Sequence, residues 1–148
     1  MARFGIVIEG LEEVLEQNRE LLKAAKTPFE KIRARVEGIM RRGIVKTIYA
    51  QKFTPLAPST IARKKAKGLS SLILIGATMN LMRTAAAAGS AYVDGSDLVI
   101  PMDMVSVPYA AKHQFGIGVP KREFFKTDEE TKDRAIRVVS EMLAEVMS

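Results

Sequence analysis

The 148-residue chain contains no cysteine and a single histidine, His113. Without thiols there is no disulfide and no thiolate metal site, and nothing argues for an oxidising compartment. A lone imidazole, with no HExxH or HxH spacing around it, supplies neither a ligand set nor a nucleophile–base pair. His113, between Lys112 and Gln114, is therefore read as a packing or hydrogen-bonding residue. Phosphate-cradling glycine patterns are missing too: there is no GxxxxGK[ST] and no GxGxxG after a strand. The acids Glu12 and Glu13, or Asp128 to Glu130, fall on helix faces and first turns, where solvent and the helix dipole favour negative charge without any glycosidase-like pairing. No catalytic, cofactor or metal residue is assigned, and the chain is expected not to be an enzyme. Long apolar runs are also absent. The longest uncharged stretch, Gly68 to Met82, falls short of the roughly 20 residues needed to span a bilayer. The start, MARFGIVIEGLEEV, turns acidic directly after a short apolar run, unlike a secretory leader. The expectation is a cytoplasmic origin with no membrane segment.

What is present is a globular mixture, 47% apolar and 27% charged, at a length that suits one domain spanning residues 1–148. The net charge of +6 is unevenly spread. Residues 27–68 carry eleven Lys and Arg against two Glu, a net of +9, whereas residues 127–148 carry three basic and six acidic side chains, a net of −3. Such a two-ended molecule could offer its basic side to nucleic acid or to the acidic side of a neighbouring copy. The candidate interface or DNA-facing residues are Arg41, Arg42 and Lys46, with Arg63, Lys64 and Lys65 of the RKKAK run. Aromatics make up only 6% of the chain, and Tyr49 and Phe53 could equally be core, so stacking platforms for single strands lack support.

Periodicity predicts a mixed α+β fold: long helices packed on a small, mainly antiparallel sheet with a β-hairpin. A strand is expected over residues 2–8 (Phe4, Ile6, Val7, Ile8), followed by an amphipathic helix through Leu11, Val14, Leu15, Leu21 and Leu22 that ends near Lys26. A second helix is placed at 28–52, with Pro28 at its first position and Thr27 and Glu30 as a capping box. Its apolar stripe is Phe29, Ile32, Val36, Ile39, Met40, Ile44 and Ile48. After Pro55 and Pro58, Ser59 or Thr60 caps a short helix ending at Gly68. Leu72 to Ile75 is expected to be loop or strand, with a helical turn at Met79 to Arg83. The stretches TAAAAGSAYV and LVIPM flank the turn residues Asp94 to Asp97 as a hairpin. Tyr109 to Phe115 forms a short helix stopped by Gly116. A last helix starts at Thr127, with Glu130 completing a second capping box.

Three segments carry a family resemblance. FTPLAPSTIARKKAKG (53–68) is similar to a "PLSPxTxxRK" segment that follows a long helix, and LILIGATMNLMRTA (72–85) stands where an "ILxxTGxLxxS" pattern would fall. VPYAAKHQFGIGVPKREFF (107–125) resembles a "YAxxHQFG" box followed by a proline and "R-x-F-[FL]". Together they resemble the phage virion morphogenesis, or tail-completion, family. Thr54 replaces a frequent Trp, and Gly76, Ala77 and Thr78 replace the Thr-Gly of the second box. The resemblance implies a non-enzymatic structural protein of the bacteriophage particle that completes the tail or joins head to tail, made in the host cytoplasm and residing in the virion neck. It implies no cofactor. The implied partners are other virion proteins (tail terminator, tail tube or head–tail connector) and further copies of itself in an oligomeric ring, a hexamer by analogy with neck components. Contact with packaged DNA is a second use for the basic face, and a DNA-binding accessory protein is the alternative function. Within the box, Tyr109, His113, Phe115, Gly116 and Pro120 are expected to pack a short helix and reverse the chain.

Overall fold

The structure, a computed structural model, describes residues 4–75 and 79–147. The chain order is β1 (Gly5–Ile8), α1 (Leu11–Gln17), α2 (Arg19–Ala24), α3 (Phe29–Ala50), α4 (Pro58–Ala66), α5 (Asn80–Ala86), β2 (Tyr92–Asp94), β3 (Asp97–Pro101), α6 (Ala110–Phe115) and α7 (Glu129–Met147). The three strands form one antiparallel sheet in the order β1-β3-β2, so the fold is α+β. Of the strand expected at 2–8, residues 2 and 3 lie outside the described residues, as do Gly76, Ala77 and Thr78 of the second family segment.

Strand β1 alternates as a half-covered strand should: Ile6 and Ile8 turn inward and Val7 outward, at 49% exposure. It begins on a glycine for a steric reason, since a Cβ at Gly5 would lie 2.5 Å from the Ile100 carbonyl oxygen. The helix expected to run on to Lys26 is instead two helices. Asn18 breaks it at φ −111°, ψ 15°, and its side-chain amide donates to the Val14 carbonyl at 2.8 Å, competing with the helical ladder. The break directs Leu15 and Leu22 into the core and leaves Val14 and Leu21, expected on the apolar face, 37% and 42% exposed.

Helix α3 is the axis of the fold. Ile32, Val36, Ile39, Met40, Ile44 and Ile48 are all at most 2% exposed, as the 3.6-residue period predicts. Phe29 lies under the guanidinium groups of Arg19 and Arg33, at 5.0 and 5.6 Å from its ring centre. Arg33 also bonds Glu12 at 2.6 and 2.7 Å, which ties α1 to α3. Gly43 brings α7 close on the other side: a Cβ there would sit 2.5 Å from Thr131 Cγ2 and 2.8 Å from Thr127 Cγ2.

Neither expected capping box forms. Thr27 closes the preceding helix instead: Lys26 takes a left-handed conformation (φ 55°) and the Thr27 N–H reaches the Leu22 carbonyl at 2.8 Å. Pro28 is thereby left at the N-cap of α3 in extended geometry, without a side-chain cap. At α7 the cap is Asp128, one residue beyond the expected Thr127. Its Oδ1 accepts from the Thr131 N–H (2.9 Å) and hydroxyl (2.6 Å), whereas the Thr127 hydroxyl is buried without a partner. Helix α4 likewise starts with Pro58 at its first position, behind Ala57, in place of a Ser59 or Thr60 cap. The first half of the alanine run expected in the hairpin, Ala85 and Ala86, is the end of α5, in keeping with alanine's helix preference. The hairpin itself is shorter, with Asp94 paired to Asp97 around Gly95 and Ser96. Leu72 to Ile75 forms no strand.

Asp128 also accepts from the Lys46 ammonium at 3.1 Å. The Thr131 hydroxyl and N–H, then Lys46, hold its carboxyl down to about 2. A carboxylate whose folded pKa lies below its unfolded value (~3.9) adds stability above the unfolded value and loses it as pH falls through the folded one. Asp128→Asn is therefore expected to reduce stability near neutral pH and to flatten the acid limb of a stability–pH curve between about pH 4 and pH 2. Coincident curves for the two proteins across that window would show that the cap contributes nothing.

Candidate functional site

The HQFG segment is built around α6. Gly116 ends this helix in the left-handed region (φ 71°, ψ 41°), and the N–H groups of Gly116 and Ile117 both reach the Lys112 carbonyl. A Cβ on Gly116 would also come within 2.9 Å of Lys121, so both backbone angle and space select glycine. The chain then doubles back, and the Arg122 N–H donates to the His113 carbonyl at 2.7 Å.

Two residues not singled out in the sequence hold this unit together. Gln114, 7% exposed, uses one oxygen, Oε1, to accept the N–H groups of Phe124 (3.1 Å) and Phe125 (3.0 Å). Arg122, 6% exposed, donates from Nε to the Thr54 carbonyl (2.9 Å) and from Nη2 to the Pro55 carbonyl (3.2 Å). Arg122 thus bolts the HQFG segment to the FTPLAP segment, 67 to 68 residues earlier in the chain. Their positions inside the quoted HQFG and RxFF strings were the available signal. In sequence alone, a polar residue beside glycines and phenylalanines looks like solvent-facing loop, because its backbone partners are set by the fold.

Of the five box residues expected to pack, Gly116 does so as described, and Phe115 sets its ring edge-on to Phe4 at 5.3 Å while staying 47% exposed. Phe4 in turn touches Phe125 (5.7 Å) and Phe124 (6.3 Å). Tyr109 stacks edge-on to half-buried His113 at 6.2 Å and is 45% exposed, and Pro120 is exposed. Burial, then the charge of Arg122, lowers the His113 pKa, so the ring is neutral at pH 7, with Nδ1 buried and without a hydrogen-bond partner. Gln114→Leu, which keeps the volume but removes the acceptor, strands two buried N–H groups and is expected to cost about 2 kcal/mol in urea unfolding. A loss below about 0.5 kcal/mol would mean that water replaces the glutamine.

The six basic candidates do not form one surface. Arg41 is a correction: it is 2% exposed and faces the interior. Its Nε donates to Glu37 (2.9 Å), Nη1 to the Ala85 carbonyl (2.8 Å), and Nη2 to Ser90 Oγ (3.0 Å) and the Pro101 carbonyl (3.1 Å). The other Glu37 oxygen accepts the Gly89 N–H at 2.8 Å. This buried pair clamps α3 to the α5–β2 connection and the end of β3. Lys46 is exposed but bridges to Asp128 (3.1 Å) and Glu130 (3.7 Å), so the basic and acidic ends of the sequence meet first within one molecule. Lys64 turns back onto the Leu72 and Ile75 carbonyls, where burial lowers its pKa. Arg42, Arg63 and Lys65 are exposed and form no salt bridge among the described residues.

The second surface feature is an apolar groove of about 470 Å³, with Val36 and Met40 of α3 at its floor. Val7 of β1 and Val14 of α1 stand on one side, and Ile136 and Leu143 of α7 on the other. Ile136 is 64% exposed. Among the described residues, no three His, Asp or Glu side chains converge as a metal-binding group, and no helix is long and apolar enough to cross a membrane. In comparisons with protein families, curated proteins and solved structures, nothing matches this chain.

Proposed function

We propose that this chain is a structural protein of the bacteriophage virion, of the tail-completion or head–tail joining kind, acting as a ring at the neck and carrying no enzymatic activity. The observation that supports it best is the junction at Arg122. The FTPLAP and HQFG segments, whose resemblance to the tail-completion family was drawn from separate stretches of sequence, form one packed unit through Arg122 and Gln114. A motif whose side chains bond backbone groups across the fold is a scaffold that presents a surface, and reaction chemistry would instead require convergent acids, bases or nucleophiles. The partners would be other virion proteins and further copies of the chain.

Electron microscopy of lysates from a phage lacking this chain tests the proposal. Separate DNA-filled heads and tails, or tails with abnormal ends, restored to particles by added protein, is the expected result. Normal infectious virions would overturn it.

The alternative, a DNA-binding accessory protein, draws on one further feature. Between Glu37 and Asp94 the chain has no acidic residue and nine basic ones: Arg41, Arg42, Lys46, Lys52, Arg63, Lys64, Lys65, Lys67 and Arg83. That role would show as duplex binding that weakens steeply with salt.

A further inference from the structure

Helix α4 is anomalous in a protein of this size because none of its residues is buried. It projects on an arm whose base is fastened. The Gln51 side-chain amide both donates to and accepts from the backbone of Ile73 (3.0 and 2.6 Å), and Arg122 holds Thr54 and Pro55. A fastened base means that the arm is presented in a set direction, yet what it presents has no use inside its own molecule. Ile61 is 40% exposed, and Arg63, Lys65 and Lys67 are exposed cations with no ion pair among the described residues. An exposed apolar residue among cations calls for a partner that is apolar at its centre and acidic at its rim.

The groove between β1–α1 and α7 has that character. Ile136 is part of its apolar wall, and two acids without an ion pair among the described residues stand at it: Glu9 on its lining, and Asp133 about one turn before Ile136 and roughly 60° from it around α7. Lys132, the cation on the lining, is paired with Glu129 at 3.3 Å. Arg134 and Arg137 are turned about 100° or more around α7 from Ile136. Within one molecule the arm does not line the groove. It is rooted at Gln51, whereas the groove floor is Val36 and Met40, roughly 17–23 Å back along α3 at 1.5 Å per residue.

We propose that α4 of one copy docks in the groove of the next, Ile61 against Ile136, with Arg63, Lys65 and Lys67 facing Glu9 and Asp133. A contact between two different surfaces is heterologous and closes into a ring when the rotation between copies permits. The inference rests on the ring proposed above and moves its basic surface from α3, where Arg41 is buried and Lys46 already paired, to the arm.

The absence of cysteine makes the test clean. Ile61→Cys and Ile136→Cys are made in separate full-length chains, one carrying a mass tag, mixed and oxidised; a disulfide between them needs Cα atoms within about 7 Å. Both sites are exposed, so unchanged thermal melting confirms that the variants fold. A 61–136 cross-link well above that from 61 to Val105, which is 86% exposed and does not line the groove (as Val105→Cys), is expected. Arg63→Glu with Lys65→Glu on the arm copy should lower the yield about tenfold, and Glu9→Lys with Asp133→Lys on the groove copy should restore it. Copies that self-associate without cross-linking at 136 above the Val105 level overturn this interface while sparing the ring. Chains that do not associate with one another, in solution or in particles, overturn both. Duplex DNA binding abolished by Arg63→Glu with Lys65→Glu, with no cross-link at 136, assigns the arm to nucleic acid and overturns the interface.

Discussion

Replacing Arg41 with alanine is expected to remove about 3–5 kcal/mol of stability, enough to leave a domain of ordinary stability partly unfolded at room temperature. The size follows from what remains behind. Among the described residues Arg41 is the one cation on Glu37, and both are nearly enclosed, at 2% and 4% exposure. Without the guanidinium, Glu37 keeps only the Gly89 N–H as a partner among the described residues, and the Ala85 and Pro101 carbonyls lose a donor. An uncompensated carboxylate in that setting costs far more than a lost surface contact. The matched control is the next residue: Arg42→Ala, on an exposed side chain, should change stability by no more than about 0.5 kcal/mol. Urea denaturation of both proteins measures the difference. If Arg41→Ala costs less than about 1 kcal/mol, the clamp is not buried as described. The double variant Glu37→Gln with Arg41→Met should recover part of the loss, because removing both charges removes the unpaired one. An assembly defect in any Arg41 variant is then a folding defect and says nothing about an interface.

The contrast between Arg41 and Arg42 also marks how far the sequence could be read. The stripe of α3, the stop of α6 at Gly116 and the hairpin turn were legible because they depend on local periodicity or backbone angles, which a handful of neighbouring residues determine. Arg41 was not, since its partners at Ala85, Ser90 and Pro101 lie 44 to 60 residues away. A sign was nonetheless present: Glu37 and Arg41, spaced i,i+4, flank Met40 on the edge of the apolar stripe. Both capping boxes were overruled by neighbours competing for the same backbone groups. Thr27 belongs to the end of α2 as much as to the start of α3, and Asp128, a better cap and an ion-pair partner for Lys46, takes the position from Thr127. The candidate surface shows the same limit. Clustering of Lys and Arg in sequence was visible, but which of them remain free depends on Asp128, Leu72 and Ile75, brought near only by the fold.

Phe124→Ala is the other change of comparable size, with an expected loss of about 3–5 kcal/mol from the transfer term and the cavity together. Phe124 is fully buried, and its ring lies edge-on to Phe4 (6.3 Å) and Phe125 (6.2 Å). The cavity is expected to stay open, since Gln114 and Arg122 pin the backbone around it through their bonds to Phe125, Thr54 and Pro55. Phe124→Leu, which leaves less empty space, should cost clearly less. Phe115 supplies the comparison that bears on function. It touches the same cluster through Phe4 but is 47% exposed, so Phe115→Ala should cost only about 1 kcal/mol by the burial of half a side chain. If Phe124→Ala lowers the yield of folded protein while Phe115→Ala folds normally and still fails to restore particles in the lysate assay, the exposed half of Phe115 is a contact made in the virion. If Phe115→Ala restores particles fully, the HQFG segment acts through packing alone, and the partner surface lies elsewhere on the molecule.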